Sequence, residues 1–150
     1  MLWGGRFGKG PKKAVLVFNS AENIKVDERL VPYDIAGSIA HVSMLKKQGI
    51  LKAEEADAIM KALKDVKADW DKGTFRLDPD LEDVHMNVEV QVTKRTAHGR
   101  AMHTARSRND QINLDMRLYM RDEIDRTIDS LKNIQKALKN QGSKLVPIPA

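Results

Sequence analysis

For most of its length the chain reads as amphipathic helix. Across residues 33–48, Ile35, Ile39 and Val42 share one face, with Ala36 and Ala40 beside them. Across residues 53–70, Ala56, Ile59, Met60, Leu63, Val66 and Trp70 repeat at the helical period of about 3.6 residues. Pro32 suits the first turn of the first helix, where its missing N–H removes no intrahelical bond. A third run begins near Asp110: Ile112, Met116, Tyr119, Ile124, Ile128, Leu131 and Leu138 recur with no Gly or Pro before Gly142. Thirty residues of helix would be about 45 Å long, a length suited to a bundle or coiled-coil arm that needs packing partners. Gly49, Gly73, Gly99 and Gly142 each follow a candidate helix. Glycine is favoured there because it takes positive φ without a Cβ penalty.

Residues 83–93 are read two ways. Val84, Met86, Val88, Val90 and Val92 alternate strictly, the pattern of a half-buried strand, and four of the five are β-branched. A helix would instead put Val84, Val88 and Val92 on one stripe, with Asp80 as N-cap and acidic residues in its first turn. Periodicity alone leaves both open. The first 26 residues, with Gly4, Gly5, Gly8, Gly10 and Pro11, read as an irregular arm. No internal repeat or low-complexity tract appears.

Composition narrows the class. The chain has 150 residues, 41% of them hydrophobic and 31% charged, which is the balance of a globular protein. No apolar run approaches the roughly 20 residues of a membrane span, and residues 14–18 are too short for a signal-peptide core. With no Cys, a disulfide framework, a thiolate metal site and a Cys nucleophile are excluded. A cytoplasmic protein is expected. The net charge of +5 is modest, but residues 90–109 contain no Asp or Glu while carrying Lys94, Arg95, Arg100, Arg106, Arg108, His98 and His103. Such a stretch suits a polycarboxylate, a phosphate or a nucleic acid, and equally a solvated basic helix face.

Generic catalytic templates are absent: no Walker loop, HExxH, GxSxG or EF-hand loop occurs. His41, on an amphipathic helix, reads as a satisfied boundary histidine rather than a ligand. His85 and His103 have no metal-pair spacing, so no metal is expected. The dense chemistry is His103-Thr104-Ala105-Arg106-Ser107-Arg108-Asn109-Asp110-Gln111, just ahead of the long helix. Two guanidiniums, two hydroxyls and the carboxamide of Asn109 meet the free N–H groups and positive partial charge of a helix start. Arg forks match carboxylates, so the segment suits a carboxylate-rich ligand; a capped helix with exposed arginines would share its composition.

The same nonapeptide resembles the first signature of the argininosuccinate lyases, in the fumarase/aspartase superfamily. Leu2-Trp3-Gly4-Gly5-Arg6-Phe7 is similar to that family's opening motif, and Tyr33-Asp34-Ile35-Ala36-Gly37-Ser38 with Ala40-His41 and Met44-Leu45 to its first long helix. Gly73-Thr74-Phe75 and Glu82-Asp83-Val84-His85-Met86-Asn87-Val88-Glu89 match later landmarks in order. The resemblance implies an all-α chain, and so a helix over residues 83–93. It implies an irregular arm over 1–26, an N-terminal helical domain over 27–109 ending in the substrate-binding segment, and the first long helix of a central helical bundle over 110–150. It also implies reversible cleavage of argininosuccinate to arginine and fumarate without cofactor or metal, in a homotetramer, with neither nucleic acid nor membrane as partner. Asn109 corresponds to a substrate-binding asparagine, with Ser107, Arg108, Thr104 and Arg106 in the same segment. His85 corresponds to a histidine of the active-site surroundings. Ser20 corresponds to a substrate-contacting serine, with Asn23 and Ala21 as the alternatives.

The family's Tyr-Thr-His-Leu-Gln motif and its later loop bearing the catalytic serine and a lysine do not occur here. The 150 residues alone are therefore expected to be inactive, with no catalytic residue of their own and an exposed apolar stripe that leads to self-association or partial disorder. Rival readings are a structural protein on the same scaffold, like the delta-crystallins, a nucleic-acid-binding helical module, and another member of the superfamily.

Overall fold

The computed structural model describes Phe18 and residues 23–144. Ser20 and Ala21, and the motif of residues 2–7, lie outside the described residues. From Asn23 to Lys144, five α-helices follow one another: α1 (Asn23–Asp27), α2 (Val31–Lys47), α3 (Ala53–Asp71), α4 (Val84–Arg95) and α5 (Arg108–Gly142). Short 3₁₀ turns at Glu28–Leu30 and Gly99–His103 introduce α2 and follow α4. No strand occurs among the described residues, in agreement with the all-α expectation. Residues 23–26, expected as part of an irregular arm, are helical instead; Ile24 is buried there and lines an apolar cleft with Trp70, Phe75, Leu77 and Pro79.

The core is the meeting of α2, α3 and α4. Val31, Ile35, Val42 and Leu45 of α2 pack with Ala56, Ile59, Leu63 and Val66 of α3 and with Val84, Val88 and Val92 of α4. Pro32 occupies the first turn of α2, as its chemistry favours. Gly49 and Gly73 end α2 and α3 with φ near +70°, the left-handed conformation that only glycine adopts freely. Gly99 acts differently. A Cβ built on it would lie 2.6 Å from Thr93 Cα, so this glycine permits the chain to fold back against α4. Gly142 is the last residue of α5 rather than a stop beyond it.

Residues 84–95 resolve the ambiguous alternation as helix. Burial falls on Val84, His85, Asn87, Val88 and Val92, which is one helical stripe rather than every second residue. The N-cap is Asp83, not Asp80: Asp83 Oδ1 accepts from Met86 N at 2.6 Å, and no acidic residue stands in the first turn. Asn87 fastens the preceding loop, accepting from Asp78 N at 2.7 Å and donating to Asp83 O.

The long helix starts two residues earlier than its apolar repeat suggests, because Ser107 caps it. At 35 residues it is about 52 Å long. Only its first turns are seated: Gln111 and Asp115 are buried against α2, and Tyr33 meets Tyr119 edge to face at 5.9 Å while donating to Asp122 at 2.8 Å. Beyond Glu123, every described residue of α5 is exposed. The expected apolar stripe is therefore open to solvent, with Met120, Ile124, Ile128, Leu131, Ile134 and Leu138 along it.

Candidate functional site

The 3₁₀ turn Gly99–His103 and the start of α5 bring the nonapeptide into one compact corner beside α2 and α4. Thr104 is fixed at both ends: its hydroxyl donates to Ala101 O at 2.8 Å, and its carbonyl lies 2.8 Å from His41 Nε2. His41 is thus the satisfied boundary histidine its position suggested. Ala105 follows with φ of +56°, the one non-glycine residue with positive φ among those described. That conformation is uncommon outside Gly and Asn, and it turns the chain sharply between Thr104 and the helix.

Arg106 reaches back to α2, donating from Nη1 to Ser38 Oγ at 3.2 Å. Gly37 opens the space for this approach, since a Cβ there would lie 3.0 Å from Leu114 Cδ2 and 3.4 Å from Arg106 Nη2. Ser107 is the N-cap of α5, its Oγ accepting from Asn109 N at 3.2 Å. Arg108 turns inward, donating to Gln111 Oε1 at 2.9 Å and approaching Asp83 and Glu89 at 3.6 and 3.9 Å. Asn109 is exposed on the first turn of α5, at the positive end of the helix. Of the expected site residues, Thr104, Arg106, Ser107, Arg108 and Asn109 therefore form one continuous segment. Asn109 and Ser107 present the exposed face, and both arginines are engaged within the chain.

His85 is not on that face. It is buried behind it in a polar cluster that the sequence reading did not assemble. Its Nδ1 donates to Asp34 Oδ1 at 3.0 Å and lies 3.4 Å from Asp115 Oδ2. Gln111 Nε2 also donates to Asp34 Oδ1, while Gln111 Oε1 lies 3.2 Å from His103 Nε2. Asp34 Oδ2 and both oxygens of Asp115 are buried without a hydrogen-bond partner among the described residues. Burial, reinforced by the charge of Asp34, pushes the Asp115 carboxyl up to about 7. Burial works against a charged His85, but its hydrogen bond to Asp34 and the charges of Asp34, Asp83 and Asp115 prevail and leave its pKa raised. His103 is lowered, by burial first and then by the nearby Arg108 charge.

Asp34, His85 and Asp115 bring ligand-type atoms within 4.8 Å of one another, close enough for a metal to be considered. The donor set argues for an ion-pair cluster instead: Nδ1 of His85 is spent on Asp34, and the Arg106 guanidinium adds a second positive charge felt by Asp115. A signal for this cluster was present in the sequence. Asp34 and Ser38 interrupt the buried face of α2 at helical spacing, and Gln111 and Asp115 stand four apart on α5.

Comparison with known proteins agrees with this architecture. A family model described as lyase matches residues 10–149. The chain is 44% identical over 146 residues to an argininosuccinate lyase of Acinetobacter baumannii, covering 97% of this chain and 30% of that protein. It is 47% identical over 144 residues to the argininosuccinate lyase of Pelotomaculum thermopropionicum, covering 95% of this chain and 31% of that one. With the Heliobacterium mobile argininosuccinate lyase the identity is 46% over 146 residues, again 31% of the relative. The chain thus spans about a third of the length of these relatives, in their N-terminal portion. By that family match and by the helical scaffold that carries its signature segment, the chain belongs to the lyase family.

Proposed function

We propose that this chain supplies one wall of the active site of an argininosuccinate lyase, cleaving argininosuccinate reversibly to arginine and fumarate. In that reaction a base takes a proton from the succinyl Cβ, and the electron pair forms the fumarate double bond. The C–N bond breaks, and its electrons leave with the guanidinium nitrogen of arginine. The difficult demand is negative charge developing next to existing carboxylates, which fixed donors at a helix start are suited to stabilise. The observation that carries the reading is the seat of residues 104–109. Ser107 caps α5, and Asn109 stands exposed at the positive end of a helix whose approach contains no acidic residue from position 90 onward.

The homotetramer belongs to the same reading. An apolar stripe along the free part of α5 supports packing against further helices of a bundle. A cytoplasmic location is consistent with this chemistry; no described helix is long and apolar enough to cross a membrane. The pairing of Arg95 with Asp69, of Arg106 with Ser38 and of Arg108 with Gln111 supports the lyase reading over a nucleic-acid footprint.

The test is fumarate release from argininosuccinate. The purified 150-residue chain is expected to give only background. Joined to the C-terminal two-thirds of the Pelotomaculum enzyme, it is expected to release fumarate. A chimera that assembles fully yet releases none contradicts the proposal, and release by the 150 residues alone contradicts the expectation that the base lies elsewhere.

A further inference from the structure

The buried cluster behind the start of α5 has more polar atoms than partners. Asp34 comes from α2, His85 from α4, and Gln111 and Asp115 from α5, so three helices meet at one hydrogen-bonded centre. Asp34 and Asp115 are wholly buried, yet Asp34 Oδ2 and both Asp115 oxygens accept nothing from the described residues. A buried carboxylate that is merely structural is normally saturated with donors, because an unpartnered ionised oxygen is costly. A proton on Asp115 removes that charge and converts an acceptor-only group into a donor.

The charged groups around this centre are few. Asp115 faces Asp34 from α2, His85 from α4, Arg106 from the preceding loop and Arg108 from the first turn of its own helix. His85 faces Asp34, Asp83 and Asp115, and Asp27 of α1 lies within reach of its charge. Fully ionised, the two carboxylates of the centre balance the imidazolium and the Arg106 guanidinium. The two carboxylates still repel each other beside the imidazole, and a proton on Asp115 relieves that repulsion.

We propose that Asp34 and Asp115 are positioning residues: with His85 they hold a proton in common behind the candidate substrate segment, and through Gln111 they set where His103 and Arg108 stand. The route is direct. Asp34 Oδ1 receives both His85 Nδ1 and Gln111 Nε2, and the other end of the Gln111 carboxamide meets His103 Nε2 and Arg108 Nη1. When the proton leaves, Asp34 and Asp115 repel, Gln111 follows Asp34, and the side chains it holds at the mouth of α5 shift. The consequence for substrate rests on the function proposed above; the coupling itself does not.

Four histidines in the chain make the coupling readable by NMR of ¹³Cε1-histidine-labelled protein, with signals assigned by single His→Gln substitutions. His103 titrates on its own below its ordinary value. It is expected to show a second inflection near neutral pH, shared with His85, that reports the buried cluster. Asp115→Asn should remove that inflection from His103 and leave at His85 only the titration of its own ring against Asp34. Gln111→Met, which keeps the volume but breaks the connection, should remove it from His103 alone; a local structural role for Asp115 would leave His103 untouched in either variant. A wild-type His103 curve with no neutral inflection overturns the proposal without need of any variant. So does an inflection at His103 that survives both substitutions. No substrate is present in this measurement, so a failure of the lyase reading would leave its outcome intact.

Discussion

At the residue scale, the candidate site combines strain with charge. Ala105 holds the left-handed region at φ +56°, which costs an L-residue with a Cβ about 1–2 kcal/mol. Ala105→Gly is accordingly expected to raise stability by about 1 kcal/mol, partly offset by the extra freedom glycine gives the unfolded chain. Chemical denaturation decides this; an unchanged or lowered midpoint would mean the turn is not strained. The pH dependence has a definite sign. Asp115 is raised from 3.8 to about 7, so between those values the folded state holds a proton that the unfolded state has lost. Stability therefore falls as pH rises through that window and levels above it, by at most about 4 kcal/mol over three pH units. The raised His85 acts in the same sense, its contribution complete below 6.5 and lost as pH climbs through its folded value. His103, being lowered, acts oppositely in the window below 6.5. Asp115→Asn should thus raise stability modestly at pH 5 and more strongly at pH 8. Melting curves at the two pH values check this, and an equal effect at both would contradict the buried-carboxyl account.

The legibility of these residues was uneven. Ser107, Asn109 and the arginines were visible because a dense run of donors before a long helix is local in sequence. Asp34, Gln111 and Asp115 were passed over as individual site residues because the cluster is made across 81 positions of chain, from Asp34 to Asp115, by three helices meeting. The inward turn of Arg108 toward Asp83 and Glu89 depends on tertiary placement, which spacing does not carry.

At the scale of elements, α4 shows what alternation can and cannot say. Val84, Met86, Val88, Val90 and Val92 fit a strand, but only Val84, Val88 and Val92 of these are buried, and His85 and Asn87 take the remaining inward positions. Two buried polar residues, each satisfied by a neighbour, were the physical reason the apolar pattern looked two-fold. The helices α2 and α3 were legible to within a few residues at their ends, α3 through an unbroken apolar face and α2 despite the buried Asp34 and Ser38. Two glycines carry the packing between elements. Gly99→Ala would drive a Cβ to 2.6 Å from the α4 backbone, where nothing flexible can yield. Its expected cost is about 3 kcal/mol, at the upper end for overpacking. Gly37→Ala meets the end of the Leu114 side chain at 3.0 Å and should cost less, about 1 kcal/mol. Thermal denaturation of the two variants tests the order; a milder effect at Gly99 would contradict the close approach to Thr93.

For the whole molecule, the division is between a packed three-helix core and a helix whose distal part touches none of it. Ile124, Ile128, Leu131 and Leu138 lie between 42% and 67% exposed, a continuous apolar stripe that water disfavours. The 150-residue chain is expected to self-associate through it. Replacing Ile124 and Ile128 with Asp should shift sedimentation toward monomer and leave melting of the core unchanged, since neither residue contributes to it. A wild-type monomer at all concentrations would contradict the bundle reading of α5. The repeat of α5 made this stripe legible from sequence alone, because a long helix with no break must present its apolar residues to something.

If the start of α5 is a substrate wall, Asn109, exposed on its first turn, is the group that meets substrate. The most direct measurement is kcat/KM for argininosuccinate in the assembled chimera, with and without Asn109→Ala. Loss of a positioned donor at developing charge predicts a fall of about 100-fold or more, with helix content and assembly unchanged. A variant that keeps the activity of its parent would place the substrate elsewhere and contradict the account.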